Sequence, residues 1–196
     1  LRNKGVNTAG LCWTHEPSAV ATILVKPDGS RTVIAPPPSR PIPPHSVSLK
    51  EIEPKVLLID GHEPELSESL AEEAKVLKIP TILDAGSRHT GTQAIWKDIE
   101  ILAASEKFAR QITSETEPNT IFEKISKLHR GRACIVTFGE YGLIYSENGG
   151  GPKHLRAFPV KAIDTNGAGD AFHGALALAF ARGHGLDQAC IYASAA

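Results

Sequence analysis

Residues 163–172 have the sequence IDTNGAGDAF and combine residue types that could bind and move a charged group. Gly167 and Gly169 allow a ligand to approach the backbone closely, and the apolar residues that follow predict a helix over 167–182. The first turn of a helix has N–H groups without acceptors and carries the positive end of the helix dipole. The segment is therefore predicted to bind an anion such as a phosphate.

Asp170 falls in the first turn of this predicted helix, where the dipole stabilises its carboxylate form. An ionised carboxylate beside an anion site is unusual for binding alone, but it suits phosphoryl transfer. The N–H groups would stabilise charge on the moving phosphoryl group while Asp170 accepts the proton of an attacking hydroxyl. Asp is also common at helix starts, and the spacing alone favours neither interpretation.

Short apolar runs alternate with amphipathic segments and predict the elements that would position this helix. The predicted strands are 56–60, 79–84, 99–103, 133–138, 143–146 and 154–158, and the predicted helices are 64–77, 105–112, 118–129, 167–182 and 186–196. This order indicates an α/β fold with a doubly wound, mainly parallel sheet and helices on both faces. Ligands of such sheets bind beyond the carboxyl ends of the strands. The polar and glycine residues at those ends are Asp60, Gly61, Asp84, Ser105 and Gly139.

The first part of the chain has a different pattern. Residues 19–25 and 30–35 are rich in β-forming residues and flank Lys26-Pro27-Asp28-Gly29, which predicts a hairpin. Six prolines between Pro36 and Pro44 predict an extended linker. We therefore expect residues 1–44 to be a small β segment with a Pro-rich linker, and residues 45–196 to be the α/β core. The hairpin is expected to cover the site.

The composition argues against several classes of protein. The 196-residue chain has 21 Lys and Arg against 22 Asp and Glu, a net charge of −1, and no basic block, so no nucleic-acid partner is expected. No apolar run is long enough to predict a membrane span. Three distant cysteines fit neither a disulfide framework nor a metal site, so a cytoplasmic location is expected. The chain has no methionine, even at position 1, and we expect it to be incomplete at both ends.

Other chemical motifs are weak. The sequence has no Gly-Lys pair for a P-loop, no G-x-S-x-G and no H-x-x-x-H. His62, Arg88 and His89 are predicted to be solvated loop residues, although each could contact a ligand. Asp84 either faces the site or simply ends a strand.

The segment DTNGAGD resembles the DTxGAGD signature of the PfkB (ribokinase-like) carbohydrate kinases. Further segments are similar in the expected order. AVATILVKPDGSRTVI resembles the family's lid hairpin, VLLIDG and PTILDAGSR its middle strands, DIEILAASEKFA the strand near the phosphates, and IVTFGEYGLIY its nucleotide-site T-x-G-x-x-G. The resemblance covers nearly the whole chain, from about Gly5 onward.

This resemblance implies a ribokinase-like fold and an ATP-dependent sugar kinase. Asp170 would be the catalytic base, and Gly167, Ala168 and Gly169 would supply the anion hole. The γ-phosphoryl group of ATP would pass to a hydroxyl of a carbohydrate.

The resemblance also implies cofactor sites for ATP, Mg²⁺ and, in some members, K⁺. Thr137, Gly139 and Gly142 would border the nucleotide. Asp164 and the carbonyl of Asn166 match the monovalent-cation site of those members, although Asp164 could equally cap the turn.

Two departures from the family pattern leave other interpretations open. The family's NxxE motif appears here only as Ser105-Glu106-Lys107-Phe108, so a phosphate or Mg²⁺ role would fall on Ser105 or Glu106. The family's N-terminal sugar-binding third and its C-terminal adenine segment have no counterpart in the chain. One alternative is a catalytically idle homologue that serves as a binding or assembly module, and another is a nucleoside or phosphosugar kinase. The expected partner is a small-molecule sugar. Several relatives make a dimer contact through the hairpin, so the resemblance also allows a homodimer.

Overall fold

A computed structural model of the chain describes residues 2–8, 20–25, 31–34, 41–162 and 164–196. Its strands are β1 (Thr22–Val25), β2 (Arg31–Ile34), β3 (Leu57–Ile59), β4 (Thr81–Ala85), β5 (Ile101–Ser105), β6 (Ala133–Thr137), β7 (Leu143–Glu147) and β8 (Lys153–Leu155). Its α-helices are α1 (Leu49–Ile52), α2 (Pro64–Leu77), α3 (Thr90–Ile95), α4 (Glu106–Thr113), α5 (Pro118–Leu128), α6 (Ala168–Ala181) and α7 (Leu186–Ser194). The chain divides into two compact units, Leu1–Pro43 and Pro44–Ala196.

Strands β3 to β8 form one six-stranded sheet in the order of the sequence. The first four pair in parallel, with Asp84 opposite Ala103 and Ser105 opposite Thr137. Strands β7 and β8 follow without an intervening α-helix, and they pair antiparallel. The predicted α/β fold with a mainly parallel sheet is confirmed. The carboxyl ends of β3 to β6 therefore meet at one edge of the sheet.

Both faces of the central strands are buried, which explains their continuous apolar sequences. One face packs against α4 and α5 through a cluster that includes Leu83, Leu102 and Phe108. The other face packs against α6 and α7 through a cluster that includes Ile101 and Leu176. The helix that begins at the glycines of residues 167–169 is thus held directly against the sheet.

Local signals locate some helices well and others poorly. Helix α2 has the predicted bounds, because Pro64 suits a first turn and Lys78 ends the helix in the left-handed conformation. The sequence did not predict α1 or α3. Helix α3 contains Gly91 and β-branched residues, and it forms because buried Thr92 donates a hydrogen bond to the carbonyl of Ser87 at 3.0 Å. Within the described ranges, no helix is long and apolar enough to cross a membrane.

The N-terminal unit contains the antiparallel pair β1 and β2, with Thr22 opposite Ile34. The two strands lie inside the predicted ranges 19–25 and 30–35. The predicted turn at Lys26-Pro27-Asp28-Gly29 and residues 35–40 of the predicted linker lie outside the described residues. The β1 side chains are exposed.

His129 makes the stability of the fold depend on pH. It is 8% exposed, and its Nε2 bonds to the carbonyl of Ile99 at 2.9 Å. Burial lowers its pKa below the usual 6.5, so the folded protein keeps it neutral while the unfolded chain binds a proton more readily. The stability from this group is fully present above pH 6.5 and is lost as the pH falls towards its lowered pKa in the folded protein.

We predict that acidification from about pH 7.5 to about pH 5.5 destabilises the natural protein more than His129→Gln, whose side chain does not titrate. Chemical denaturation at the two pH values measures the difference. Equal losses of unfolding free energy in both proteins would contradict the assignment.

Candidate functional site

Helix α6 begins in a glycine turn formed by residues 167–170. Gly167 precedes the helix with φ 78°, a left-handed conformation that favours glycine. The N–H of Ala168 donates to the carbonyl of Thr165 at 3.3 Å, and the N–H of Ala171 donates to Gly167 at 2.8 Å. The amides between them, of Gly169 and Asp170, lie in the first helical turn, where the helix itself supplies no acceptor. The Ala168 amide was predicted to be part of the anion hole, but it already donates to the Thr165 carbonyl.

The surface above the glycine turn is open. A Cβ atom added to Gly169 would meet nothing within 4 Å, and one added to Gly167 would approach only Asp170 Oδ2, at 3.9 Å. Asp170 is itself exposed in the first turn. The turn therefore presents two amides and one carboxylate to a space that a ligand could enter.

The side chain of Asp84, at the carboxyl end of β4, reaches this turn through His173 of α6. His173 Nδ1 lies 3.1 Å from Asp84 Oδ2 and 2.6 Å from the carbonyl oxygen of Gly169. Burial raises the pKa of Asp84, the nearby His173 lowers it, and Asp170 raises it again by repulsion. Asp84 faces the site rather than merely ending a strand. Sequence analysis missed His173, whose only signal is a polar residue on the apolar side of α6.

Loops after β3 and β4 meet beside Asp84. Gly61 and Gly91 are in such close contact that a Cβ atom on Gly91 would lie 1.9 Å from the Gly61 carbonyl oxygen. This contact brings the His62 and His89 rings into a stack with 4.9 Å between centroids. His62 is exposed, as predicted, whereas His89 is half-buried, and burial with a smaller effect of His62 lowers its pKa. Asp60 accepts a 2.9 Å hydrogen bond from the His62 amide.

The predicted phosphate and Mg²⁺ residues lie at the start of α4. Ser105 caps this helix by accepting a bond from the Phe108 amide at 3.1 Å, and its hydroxyl donates to the Gly86 carbonyl at 2.8 Å. Glu106 pairs with Arg110 at 2.6 Å. Phe108 is fully buried against Trp96, so the position of the family's Glu belongs to the core.

Residues proposed to border a nucleotide follow β6. Thr137 ends that strand and pairs in register with Ser105. Gly139 has φ 58° and open space at its Cβ position. Gly142 is different, because a Cβ there would lie 2.0 Å from the carbonyl oxygen of Leu155 on β8. Gly142 is therefore required by the fold.

The cation residues predicted before α6 form a tight turn. Asp164 Oδ1 accepts a 2.8 Å hydrogen bond from the amide of Asn166, and both side chains are exposed. Among the described residues, no group of three or more His, Cys, Asp or Glu side chains could together hold a metal ion. Mg²⁺ in phosphoryl-transfer sites commonly takes only one or two carboxylates and otherwise binds water and phosphate oxygens. Glu106 could bind Mg²⁺ in this way only after its ion pair with Arg110 breaks.

We predict that Gly91→Ala destabilises the protein by about 1–3 kcal/mol, because the new methyl group collides with the Gly61 backbone. Gly174→Ala in α6 is the matched control, since its Cβ would meet nothing within 4 Å and Ala favours a helix by up to about 1 kcal/mol. Denaturation curves of the two variants should shift in opposite directions. A Gly91→Ala protein as stable as the natural one would show that the two loops are not locked together.

The fold and this edge of the sheet define the class of protein. The structure is similar to the ribokinase of Thermotoga maritima, with a TM-score of 0.75, 26% identity and coverage of 92% of this chain and 62% of that one. It has the same fold as an Arabidopsis thaliana ribokinase complexed with ribose and ATP, with a TM-score of 0.74, 22% identity and coverage of 93% of this chain and 62% of that one. The fold is ribokinase-like.

The family follows from the sequence match. A family model for the pfkB family carbohydrate kinases matches residues 1–196, and the chain belongs to that family. It is also 34% identical over 128 residues to the bifunctional protein HldE of Bradyrhizobium diazoefficiens, a match that covers 63% of this chain and 25% of the relative. The chain thus spans a quarter of that relative and about three fifths of the ribokinases.

Proposed function

We propose that this chain carries the phosphoryl-transfer part of an ATP-dependent sugar kinase. The observation that carries the proposal is the open glycine turn of residues 167–170, which places Asp170 and two first-turn amides together at the carboxyl edge of a parallel sheet. Membership of the pfkB family supports the reaction class. The similarity to a ribokinase complexed with ribose and ATP is consistent with a sugar as acceptor and ATP as donor.

Asp170 acts as the general base in this proposal. Its carboxylate takes the proton from a sugar hydroxyl, and the hydroxyl oxygen forms a bond to the γ-phosphorus of ATP. The bond from that phosphorus to the β,γ-bridging oxygen breaks, and ADP leaves with the bonding electrons.

The amides of Gly169 and Asp170 form the anion hole. They would donate to the transferring phosphoryl oxygens, which gather negative charge, and fixed donors of this kind require no reorganisation during the reaction. Gly167 contributes by bending the chain into the helix. The Ala168 amide donates to the Thr165 carbonyl, so Ala168 contributes to the shape of the turn rather than to the anion hole.

Other residues would bind the nucleotide and Mg²⁺. Thr137 and Gly139 would border ATP, because Thr137 ends β6 and Gly139 lies just beyond it, and Gly142 would shape that turn. Glu106, with Ser105 at the same helix start, would hold Mg²⁺, which would neutralise charge on the phosphates.

Asp164 and the Asn166 carbonyl would hold K⁺. The exposed apolar residues of β1 and β2 would allow the hairpin to act as a lid and a dimer contact.

A second candidate function is a catalytically idle binding module. The observation that favours it is Phe108, which is buried at the position of the family's Glu and so removes one expected cation-ordering carboxylate. Retained ATP binding without ADP release on any sugar, nucleoside or phosphosugar would support this candidate. ADP release specific to nucleosides or phosphosugars would instead change the acceptor class.

We predict that Asp170→Asn lowers turnover about 10²- to 10⁴-fold, because the amide cannot accept the acceptor proton. ADP release by the full-length natural protein, measured over a panel of ketoses, aldoses, nucleosides and phosphosugars, tests this prediction. Asp187→Asn is the control, since Asp187 is also exposed in the first turn of a helix but pairs with Lys153 at 2.8 Å. Equal turnover in natural protein and Asp170→Asn would exclude Asp170 as the base.

We also predict that Gly169→Ala lowers turnover at least about tenfold while the protein becomes no less stable. The new methyl group meets nothing in the structure, so only a bound phosphoryl group would collide with it. Turnover and thermal denaturation are measured on the same sample, with Gly174→Ala as control. Full activity in Gly169→Ala would place the phosphoryl group elsewhere.

A further inference from the structure

His173 is a buried histidine whose two ring nitrogens both face hydrogen-bond acceptors. The residue is 5% exposed. Nδ1 faces the Gly169 carbonyl oxygen at 2.6 Å and Asp84 Oδ2 at 3.1 Å, and Nε2 faces the Ala103 carbonyl oxygen at 3.2 Å. A neutral imidazole has one N–H and one lone pair. In either neutral tautomer, a buried lone pair would therefore point at an oxygen.

Both nitrogens satisfy these contacts only when each carries a proton. A proton on Nδ1 donates to the Gly169 carbonyl oxygen beside the Asp84 carboxylate. The other charged or titratable groups acting on Asp84 are Asp170 of α6 and, after β3, Asp60 and His62. Asp170 and Asp60 repel the Asp84 carboxylate, and His173 offsets this repulsion.

The carbonyl that His173 contacts belongs to the glycine turn. The C=O of Gly169 and the N–H of Asp170 are parts of one planar peptide group. A donor held on the carbonyl oxygen fixes the plane and draws electron density from the N–H, which becomes a stronger donor on the opposite side. That N–H is one of the two amides of the proposed anion hole.

We propose that His173, held by Asp84, is a positioning residue that fixes and polarises the Gly169–Asp170 peptide group for anion binding. The inference rests on the proposed function of the glycine turn. A purely structural role would instead require only that the ring fill space and bond to Ala103.

Four variants separate these roles. His173→Leu removes both donors, and His173→Gln keeps a donor in the direction of Ala103 only. His173→Asn keeps a donor near the Nδ1 position and is the conservative rescue. Asp84→Asn removes the charge that holds the ring. His129→Gln is the matched control, because His129 is also buried and bonds to a carbonyl.

Two measurements do not need turnover. Nitrogen-15 spectra of the histidine side chains, with His173 assigned by its absence in the variants, should show a proton on Nδ1 of His173. Calorimetry should give a ratio of ATP to ADP dissociation constants that rises about threefold to tenfold in His173→Leu and His173→Gln, because only ATP has a γ-phosphate to lose this contact. His173→Asn and His129→Gln should keep the natural ratio, and Asp84→Asn should fall between.

Turnover supplies the third measurement. The kcat of ADP release should fall on the order of 10-fold to 100-fold in His173→Leu and His173→Gln, with little change in acceptor KM. If the natural protein releases no ADP, the proposed function fails, and the spectra with the ATP to ADP ratio still decide the inference about His173. A ring without a proton on Nδ1, or unchanged ratios in His173→Leu and His173→Gln, would overturn it.

Discussion

Burial of the central strands on both faces is the constraint from which the site follows. Strands β4, β5 and β6 can satisfy their backbone groups only by pairing with neighbouring strands, and their apolar side chains require helices on both sides. Parallel pairing then brings every carboxyl end to the same edge, so that residues distant in sequence become neighbours there. Helix α6 packs on one face with its first turn at that edge, which sets Asp170 beside Asp84 without any local sequence relation between them.

The convergence of carboxylates at this edge has an electrostatic cost that the same fold offsets. Burial disfavours the charge on Asp84, and repulsion from Asp170 and Asp60 adds to this effect. The offsetting groups are His173, which lies between the sheet and the glycine turn, and the positive end of α6. Such compensation lowers the repulsion that a bound phosphate would meet beside the exposed carboxylate of Asp170. The packing of α6 on the sheet and the chemistry of its first turn are therefore linked through one buried side chain.

The sequence predicted features whose signals are local. Continuous apolar runs located the strands, and Pro64 with the apolar spacing located α2 to the residue. Features that depend on tertiary contacts were missed. Helix α3 contains Gly91, whose backbone packs against Gly61, and the partner of His173 Nε2 is Ala103, 70 residues earlier. The sequence also left the hydrogen bonds of some local groups open. The glycine signature located the turn, but only the structure shows that Ala168 already has an acceptor and that Ser105 serves as a helix cap.

A glycine in a sequence motif does not by itself indicate a ligand site, because some glycines are required by the backbone around them. Gly91 and Gly142 are required by neighbouring backbone, so their presence would be expected in this fold whatever it binds. Gly169 has open space where a side chain would lie, and the fold alone gives no steric reason to exclude one. Gly139 also has open space, but its φ of 58° favours glycine by itself. Gly174 is equally open in the interior of α6, so open space alone does not indicate a ligand. Gly169 differs from Gly174 because it lies in the first turn of α6, where free N–H groups and the helix dipole favour an anion. Within the glycine-rich motifs, the open position of Gly169 rather than the motif as a whole therefore supports a phosphate-binding site.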